Sequence, residues 1–242
     1  MTTNVKNQQK NNSTNEEINN ITNIAGQILI NVLQSNNITH IDLSEEHIGV
    51  EGIKIISKAL EDNELITKIN LCDNNVSSEG VSLLVKVLET NHSLTDIDLE
   101  YNNIGDQGAI ILAEFLTNNK TIEQINLSSN NIADQGAIIL AKLLTNNSTI
   151  KQMDCNANDI GDVGFIQIAQ ALEINRVLKQ INLSNNYITD NGAMELMKIL
   201  ESNKITSEII IDFTELESEN TSYEVEELLT QVLKNHNKKL RV

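Results

Sequence analysis

A period of 28 residues is the feature that most constrains what this 242-residue chain can fold into. Glycines and asparagines both recur at that step. The glycines are Gly52, Gly80, Gly108, Gly136, Gly164 and Gly192, and the asparagines are Asn63, Asn91, Asn119, Asn147, Asn175 and Asn203. Units of this length cannot bury an apolar face alone, so they must stack on their neighbours into a solenoid.

Each unit is predicted to contain a short strand, a turn and a helix. Aliphatic residues alternate in the first half, as in a strand with one buried face. In the clearest unit these residues are Leu94, Ile97 and Leu99. Apolar residues recur at helical spacing in the second half. In the same unit these are Ala109, Leu112, Ala113 and Leu116. Because parallel strands stack about 4.8 Å apart and helices roughly 8–10 Å apart, the array must bend with its strands inside.

The motif Leu94-x-x-Ile97-x-Leu99-x-x-Asn102-x-Ile104 resembles the leucine-rich repeat. The 28-residue length and the complete helix resemble its ribonuclease-inhibitor type, over residues 38–205. That resemblance implies a right-handed α/β horseshoe with a parallel concave sheet and convex helices. It also implies two alternating unit types. The alternation predicted from the residues is glycine at Gly49, Gly105 and Gly161, against Ser77, Ala133 and Thr189 in the units between.

The pattern divides the chain into four segments. Residues 1–13 are predicted to be a disordered tail, and residues 14–37 an N-terminal capping helix that opens with Thr14-x-x-Glu17. Residues 38–205 hold six repeats. Residues 206–242 are predicted to form a degenerate seventh repeat and a C-terminal capping helix, which opens with Thr221-x-x-Glu224. Such helices would cover the apolar ends of the array.

Three polar series are predicted to be structural. One asparagine follows each strand and should form a buried ladder: Asn74, Asn102, Asn130, Asn158 and Asn186. Glu46 and Thr214 replace it in the first and seventh units. An aspartate stands two residues before each of the later glycines, where its carboxylate should cap free amides at the helix start: Asp106, Asp134, Asp162 and Asp190. The series from Asn63 to Asn203 should end the helices in the left-handed conformation.

Charge and composition limit the classes of partner. Seventeen basic against thirty-four acidic residues give a net charge of −17, which disfavours nucleic acid and anionic membranes and favours a basic protein partner. The N-terminal residues show neither a secretory signal nor a membrane span, so we expect a cytoplasmic protein. Separately, we expect the chain to be a monomer. Cys72 and Cys155 are not expected to form a disulfide, because Cys155 stands at an inward-facing position.

The outward strand positions should form an acidic concave face. Its central column alternates carboxylate and amide side chains, which limits repulsion between neighbouring strands: Asp42, Asn70, Asp98, Asn126, Asp154 and Asn182. The first half of the face is the more acidic, with Glu45 and Tyr101 beside it. We predict binding of a basic partner at Asp42, Asp73, Asp96, Asp98, Glu100, Tyr101, Asp154 and Tyr187.

Alternative functions have less support in the residues. His40, His47 and Cys72 could lie close together, but they lack metal-ligand spacing, so neither a metal site nor a cofactor is predicted. No catalytic motif is present, so the chain is predicted not to be an enzyme. Regulation of an enzyme in trans remains open, because the repeats also resemble those of the Ran GTPase-activating family. A sensor or host-directed effector, or a face that is merely solvated, also remains open.

Overall fold

The computed structural model describes residues 38–201 and 208–210. Within these residues, seven strands of three residues alternate with six helices. The strands are β1 (His40–Asp42), β2 (Lys68–Asn70), β3 (Asp96–Asp98), β4 (Gln124–Asn126), β5 (Gln152–Asp154), β6 (Gln180–Asn182) and β7 (Glu208–Ile210). The helices are α1 (Gly49–Leu60), α2 (Ser77–Leu88), α3 (Gly105–Asn118), α4 (Asp134–Asn146), α5 (Asp162–Ile174) and α6 (Asp190–Glu201).

The strands form one parallel sheet in chain order, from β1 to β7. Neighbouring strands pair without any slip of register, so that Ile41 pairs with Ile69 and Ile69 with Ile97. The 28-residue period of the sequence therefore becomes the register of the sheet. This confirms the predicted α/β solenoid with a parallel sheet.

The apolar core lies between the sheet and the helices. The middle residue of each strand from β1 to β6 is buried, and the apolar faces of the helices pack against that layer. Leu94, Ile97 and Leu99 all face inward, as the alternation predicted. Cys155 occupies a leucine position and is completely buried. The outward strand residues are thereby left on the opposite face of the sheet.

The predicted asparagine ladder is confirmed. The Asn130 side-chain oxygen accepts hydrogen bonds from Asn102 N (3.0 Å) and Ile104 N (3.3 Å). Its amide nitrogen donates to Leu99 O (2.7 Å) and Ser128 O (2.8 Å). Each rung therefore pairs backbone groups of two successive units, which would otherwise be buried without partners. Glu46, at the ladder position of the first unit, is exposed instead.

The aspartates before the glycines cap helices, but not the helices in which they stand. Asp106 lies in the first turn of α3, yet its Oδ1 accepts from Ala133 N and Gly136 N, both at 2.8 Å, at the start of α4. Asp134 does the same for Gly161 N (2.9 Å) and Gly164 N (2.8 Å) at the start of α5. The predicted role as caps is therefore confirmed, but the capped amides belong to the next unit, because stacking brings the carboxylate to them.

The left-handed conformation predicted for the asparagines that follow the helices is wrong. Asn119, Asn147 and Asn175 have φ of −68°, −81° and −64°, in extended backbone. Their side-chain oxygens accept from backbone amides two and three residues later, as Asn147 does from Ile150 N (2.8 Å). Asn147 also donates to Leu116 O (2.7 Å) of the previous unit. Extended backbone places the amide against that neighbouring helix end, so these residues form a second set of links between units.

The alternation of two unit types does not appear in the backbone. Gly49, Ser77 and Gly105 all have positive φ, between 55° and 58°. Ala133 and Gly161 are both extended, with φ of −101° and −90°. The turn before the helix thus changes once along the chain rather than in every second unit.

Several predictions lie outside the described residues. They are the disordered tail, both capping helices, Asn203 and Thr214. Among the helices that the structure describes, none is long and apolar enough to cross a membrane.

Candidate binding surface on the sheet

The outward face of the sheet forms a groove of about 470 Å³. Of the described part of the chain, only residues of the strands β1 to β6 line it. A single groove across six neighbouring strands requires the sheet to curve towards that face, as the different spacings of strands and helices demand. We call its outward-facing residues the wall. They form one column of His40, Lys68, Asp96, Gln124, Gln152 and Gln180, and a second of Asp42, Asn70, Asp98, Asn126, Asp154 and Asn182.

The second column forms hydrogen bonds from strand to strand. Asn126 Nδ2 donates to Asp98 Oδ2 (3.1 Å), and Asn182 Nδ2 donates to Asp154 Oδ2 (3.1 Å). The predicted alternation of charge therefore has a second role, since each of these amides fixes the carboxylate of the preceding strand. The carboxylates are held in place while they keep their negative charge.

Asp42 begins the column at the first strand. The hydroxyl of Ser44 donates to its Oδ1 (2.8 Å), and so does the Ser44 backbone amide (3.1 Å). These bonds hold the pKa of the Asp42 carboxyl below its ordinary value, because they favour the charged form. The first strand thus also presents a fixed negative charge to the groove.

Strand β3 is the most acidic part of the surface. Asp96 and Asp98 lie on the wall, and Glu100 follows two residues later. The Asn126 amide that holds Asp98 also donates to Glu100 Oε2 (3.2 Å). Asp96 is paired with Lys68 Nζ at 3.2 Å. Among the residues that the structure describes, the carboxylates of β3 and the turn after it that form no ion pair are therefore those of Asp98 and Glu100.

Asp73 and Tyr101 lie on a neighbouring surface. The turns after β2 to β5 line a second cavity of about 400 Å³, which we call the shelf. Its residues are Asp73, Asn75, Tyr101, Asn103, Ser129, Asn131, Ala157 and Asp159. Tyr101 is 61% exposed there, with a left-handed φ of 55°. Tyr187 is 53% exposed and lines neither the wall nor the shelf.

The predicted binding residues are thus divided by position. The wall brings together Asp42, Asp96, Asp98 and Asp154, and Glu100 joins them through Asn126. Asp73 and Tyr101 share the shelf, and Tyr187 lies apart. The sequence analysis did not select the amides Gln124, Gln152 and Gln180, although their 28-residue offset from Asp96 places them in the same column.

Cys72 lies within the electrostatic influence of the acidic side chains of this region. Partial burial, followed by the charges of Glu100, Asp98, Asp73 and Glu45, raises the pKa of its thiol to about 11. Complete burial and the nearby Asp154 also raise the pKa of Cys155. Neither thiol is therefore an activated nucleophile at neutral pH. His40 accepts or donates a hydrogen bond with the Thr39 hydroxyl (2.7 Å).

No group of three or more histidine, cysteine, aspartate or glutamate side chains with metal-binding geometry occurs in residues 38–201 or 208–210. The three residues considered as possible ligands, His40, His47 and Cys72, form no such group there. The acidic side chains of the wall are spread over separate strands instead. Their arrangement offers charge along a groove rather than a coordination shell.

Comparisons with known proteins agree with this architecture. The family model described as Leucine Rich repeat matches residues 90–113, 118–141 and 175–197. No curated protein sequence matches the chain. The actin-binding site 2 of leiomodin-1 is similar in structure, with a TM-score of 0.50 and 21% identity over 66% of this chain and 88% of that one.

A second solved structure with this architecture is the tropomodulin C-terminal domain from Caenorhabditis elegans. Its TM-score is 0.50 and its identity is 16%, over 65% of this chain and 93% of that one. At these identities the likeness concerns the fold.

Proposed function

We propose that this chain, which is a leucine-rich-repeat protein, is a non-catalytic interaction module whose wall binds a basic segment of a protein partner. The observation that carries the proposal is the groove across six strands of the described sheet, together with its charge. Four aspartates and one lysine line it. Such a surface attracts Lys and Arg and repels anionic partners.

The geometry of the wall suits recognition. Asp42, Asp98 and Asp154 each accept hydrogen bonds from groups of the chain itself, so a partner meets carboxylates that are already ordered. Preorganised groups lose less conformational entropy when a partner binds. Exposed Tyr101 on the adjacent shelf offers an aromatic contact at the rim.

A protein partner is also consistent with one of the similar structures. The leiomodin-1 segment is named as an actin-binding site, so this fold serves protein binding there. For the present chain the support comes from the wall itself, and actin is one protein to include among the binding partners that are tested. The predicted basic character of the partner follows from the charge of the wall and not from that likeness.

A peptide selection tests the proposal. Random peptides displayed on phage would be selected on the intact chain and then measured against a wall variant that carries Asp96→Asn, Asp98→Asn and Glu100→Gln. We expect the selected peptides to be rich in Lys and Arg. Their affinity should fall about tenfold on the wall variant, since each exposed ion pair contributes about 0.2–1 kcal/mol.

The matched control removes the same number of charges from the helices, by Glu51→Gln, Glu79→Gln and Glu114→Gln. All three residues are exposed and lie in α1, α2 and α3. Affinity for the selected peptides should be nearly unchanged in this variant. Equal losses in both variants, or selected peptides without basic residues, would show that the wall is not the binding surface.

A further inference from the structure

We infer that the wall takes an extended segment laid across the strands, with Lys or Arg at every third residue. The inference rests on the proposed function and specifies the register of the partner. Its basis is the spacing of the wall carboxylates. Asp42, Asp98 and Asp154 stand at the same position of β1, β3 and β5, with one amide-bearing strand between each pair.

The spacing of these carboxylates matches an extended chain. Neighbouring strands lie about 4.8 Å apart, so two steps separate successive carboxylates by about 9.6 Å. Three residues of a strand span about 10 Å, and three of a polyproline II helix about 9.3 Å. A basic residue at every third position would therefore meet one carboxylate after another. Spacings of two or four residues would lose this register by about 3 Å at each step.

The direction in which the bound segment runs follows from the shape of the groove. Each strand has only three residues, whereas the groove crosses six strands, so its long axis runs across the sheet. Five strand steps make that axis about 24 Å long. This length accommodates about seven residues of extended chain at 3.3 Å per residue. Three basic residues at every third position span seven residues, which fits the groove.

The neutral side chains of the wall favour an extended partner over a helical one. Amide side chains occupy six wall positions: Asn70, Gln124, Asn126, Gln152, Gln180 and Asn182. Amides both donate and accept hydrogen bonds, as the unpaired peptide groups of an extended segment require. A helix has already paired its peptide groups internally. Asn70 Nδ2, which donates no hydrogen bond within the described part of the chain, is one such open donor.

The middle basic residue should contribute most to binding. Asp98 and Glu100 both reach the Asn126 amide, so two carboxylates lie beside one position of the partner. Asp42 and Asp154 each stand without a second carboxylate on the same strand of the wall. A guanidinium is the group that best joins two carboxylates, so Arg should be favoured over Lys at the centre.

Composition-matched peptides test the register. Three blocked Gly/Ser peptides of equal length would each carry three lysines, at every second, third or fourth residue. Binding would be followed by NMR of the isotope-labelled chain, through the side-chain amide signals of Asn70, Asn126 and Asn182. We expect the peptide with lysine at every third residue to bind at least about threefold more tightly than the other two, since each additional aligned ion pair strengthens binding by up to about fivefold.

The control variant keeps the charge and changes the spacing. Asp98→Asn combined with Asn126→Asp leaves the net charge and the composition of the wall as they are. The chain itself shows that either residue fits the strand, because Asp98 and Asn126 both accept from the backbone amide two residues later, at 2.9 Å and 3.0 Å. The preference for lysine at every third residue should disappear in this variant.

The outcomes separate the register from the function. Equal affinity of all three peptides, with binding still lost in the wall variant, would overturn the inferred register and leave the proposed function standing. Tighter binding of a helical peptide with lysines seven residues apart would also overturn it. If basic peptides move no wall signal, and phage selection on the same chain gives no basic peptides, the proposed function fails together with the inference.

Discussion

The first three described units and the last three share one ladder but begin their helices differently. In the N-terminal units, those of α1 to α3, the residue before or at the helix start is left-handed, with φ of 55° to 58°. Its amide donates to the ladder asparagine of the next unit, as Gly105 N does to Asn130 O (2.9 Å). In the C-terminal units, those of α4 to α6, the corresponding amide donates to an aspartate of the previous unit instead.

The difference originates one unit earlier in the chain. Val50 and Ser78 occupy the position that Asp106 occupies in the third unit. Only from the third unit onward is a carboxylate present to cap the following helix. The backbone of a repeat is therefore set by a side chain 27 residues before it. The comparison teaches that similar local motifs adopt two turn geometries, depending on whether the preceding unit supplies a capping carboxylate.

The periodic glycines of the C-terminal units serve the same contact. A Cβ on Gly136 would lie 2.7 Å from Asp106 Oδ1, and one on Gly192 would lie 2.5 Å from Asp162 Oδ1. A second obstacle, the side chain four residues earlier, occurs in both halves, since a Cβ on Gly80 would meet Val76 Cγ1 at 2.7 Å and one on Gly136 would meet Ile132 Cγ2 at 2.6 Å. The repeated glycine thus meets one steric demand in both halves and a second one, the capping aspartate, in the C-terminal units.

The largest expected loss of stability comes from the asparagine ladder, which both halves share. Asn102→Ala and Asn158→Ala should each destabilise the fold by about 3 kcal/mol, because each leaves several buried backbone groups unpaired. Urea unfolding followed by circular dichroism measures both. Similar losses would confirm that the ladder is common to the two halves. A loss in only one half would mean that the halves differ in more than their turns.

The cap should matter only where an aspartate stands. Asp134→Ala removes the acceptor for Gly161 N and Gly164 N and should cost about 1–2 kcal/mol of unfolding free energy. Its matched control is Ser78→Ala at the same position of the second unit, which should change stability little. The same urea titration compares them. An equal effect of the two substitutions would contradict the assignment of the cap.

Substitution by glycine at the start of the helix should change the free energy of unfolding in opposite directions in the two halves. Ser77 has a φ of 57°, so Ser77→Gly should relieve strain and stabilise the fold by about 0.5–1 kcal/mol. Ala133 occupies the equivalent position in extended backbone, so Ala133→Gly should destabilise by about 0.5–1 kcal/mol. Thermal unfolding of the two variants gives the signs. Stability changes of the same sign in both variants would contradict the conformational difference between the halves.

The last prediction concerns the reactivity of the Cys72 thiol, which tests the effect of the acidic surface on its pKa and should leave stability almost unchanged. Its raised pKa of about 11 lowers the thiolate fraction at pH 8 by about 100-fold relative to a thiol of pKa 9. In a Cys155→Ala background, alkylation by iodoacetamide should be slow at pH 8. The rate should rise with pH until it passes the pKa of Cys72.

Removing the acidic neighbours of Cys72 should accelerate the reaction. Asp98→Asn with Glu100→Gln lowers its pKa, because both carboxylates oppose formation of the thiolate. Glu114→Gln on α3 is the control and should leave the rate as it is. A fast reaction at pH 8 in the unmodified wall would show that burial and these charges do not act on the thiol.

Much of the candidate site could be predicted from the sequence. The columns of the wall follow from the period and the alternation of side chains, and both appear in the structure. Asp73 and Tyr101 were expected beside the wall but lie on the shelf, because left-handed turns after the strands carry them to a separate surface. No local pattern shows which of two adjoining surfaces a turn residue joins.

The sequence by itself determined the period, the parallel register, the buried ladder and the acidic wall. These depend on residue spacing within a unit, which a strict 28-residue repeat transmits unchanged along the chain. Only the tertiary structure decided that Asp106 caps the next helix, that Asn147 is extended, and that the turns change once rather than alternately. Those features are bonds between units, and a hydrogen bond forms with whichever group stacking brings within reach.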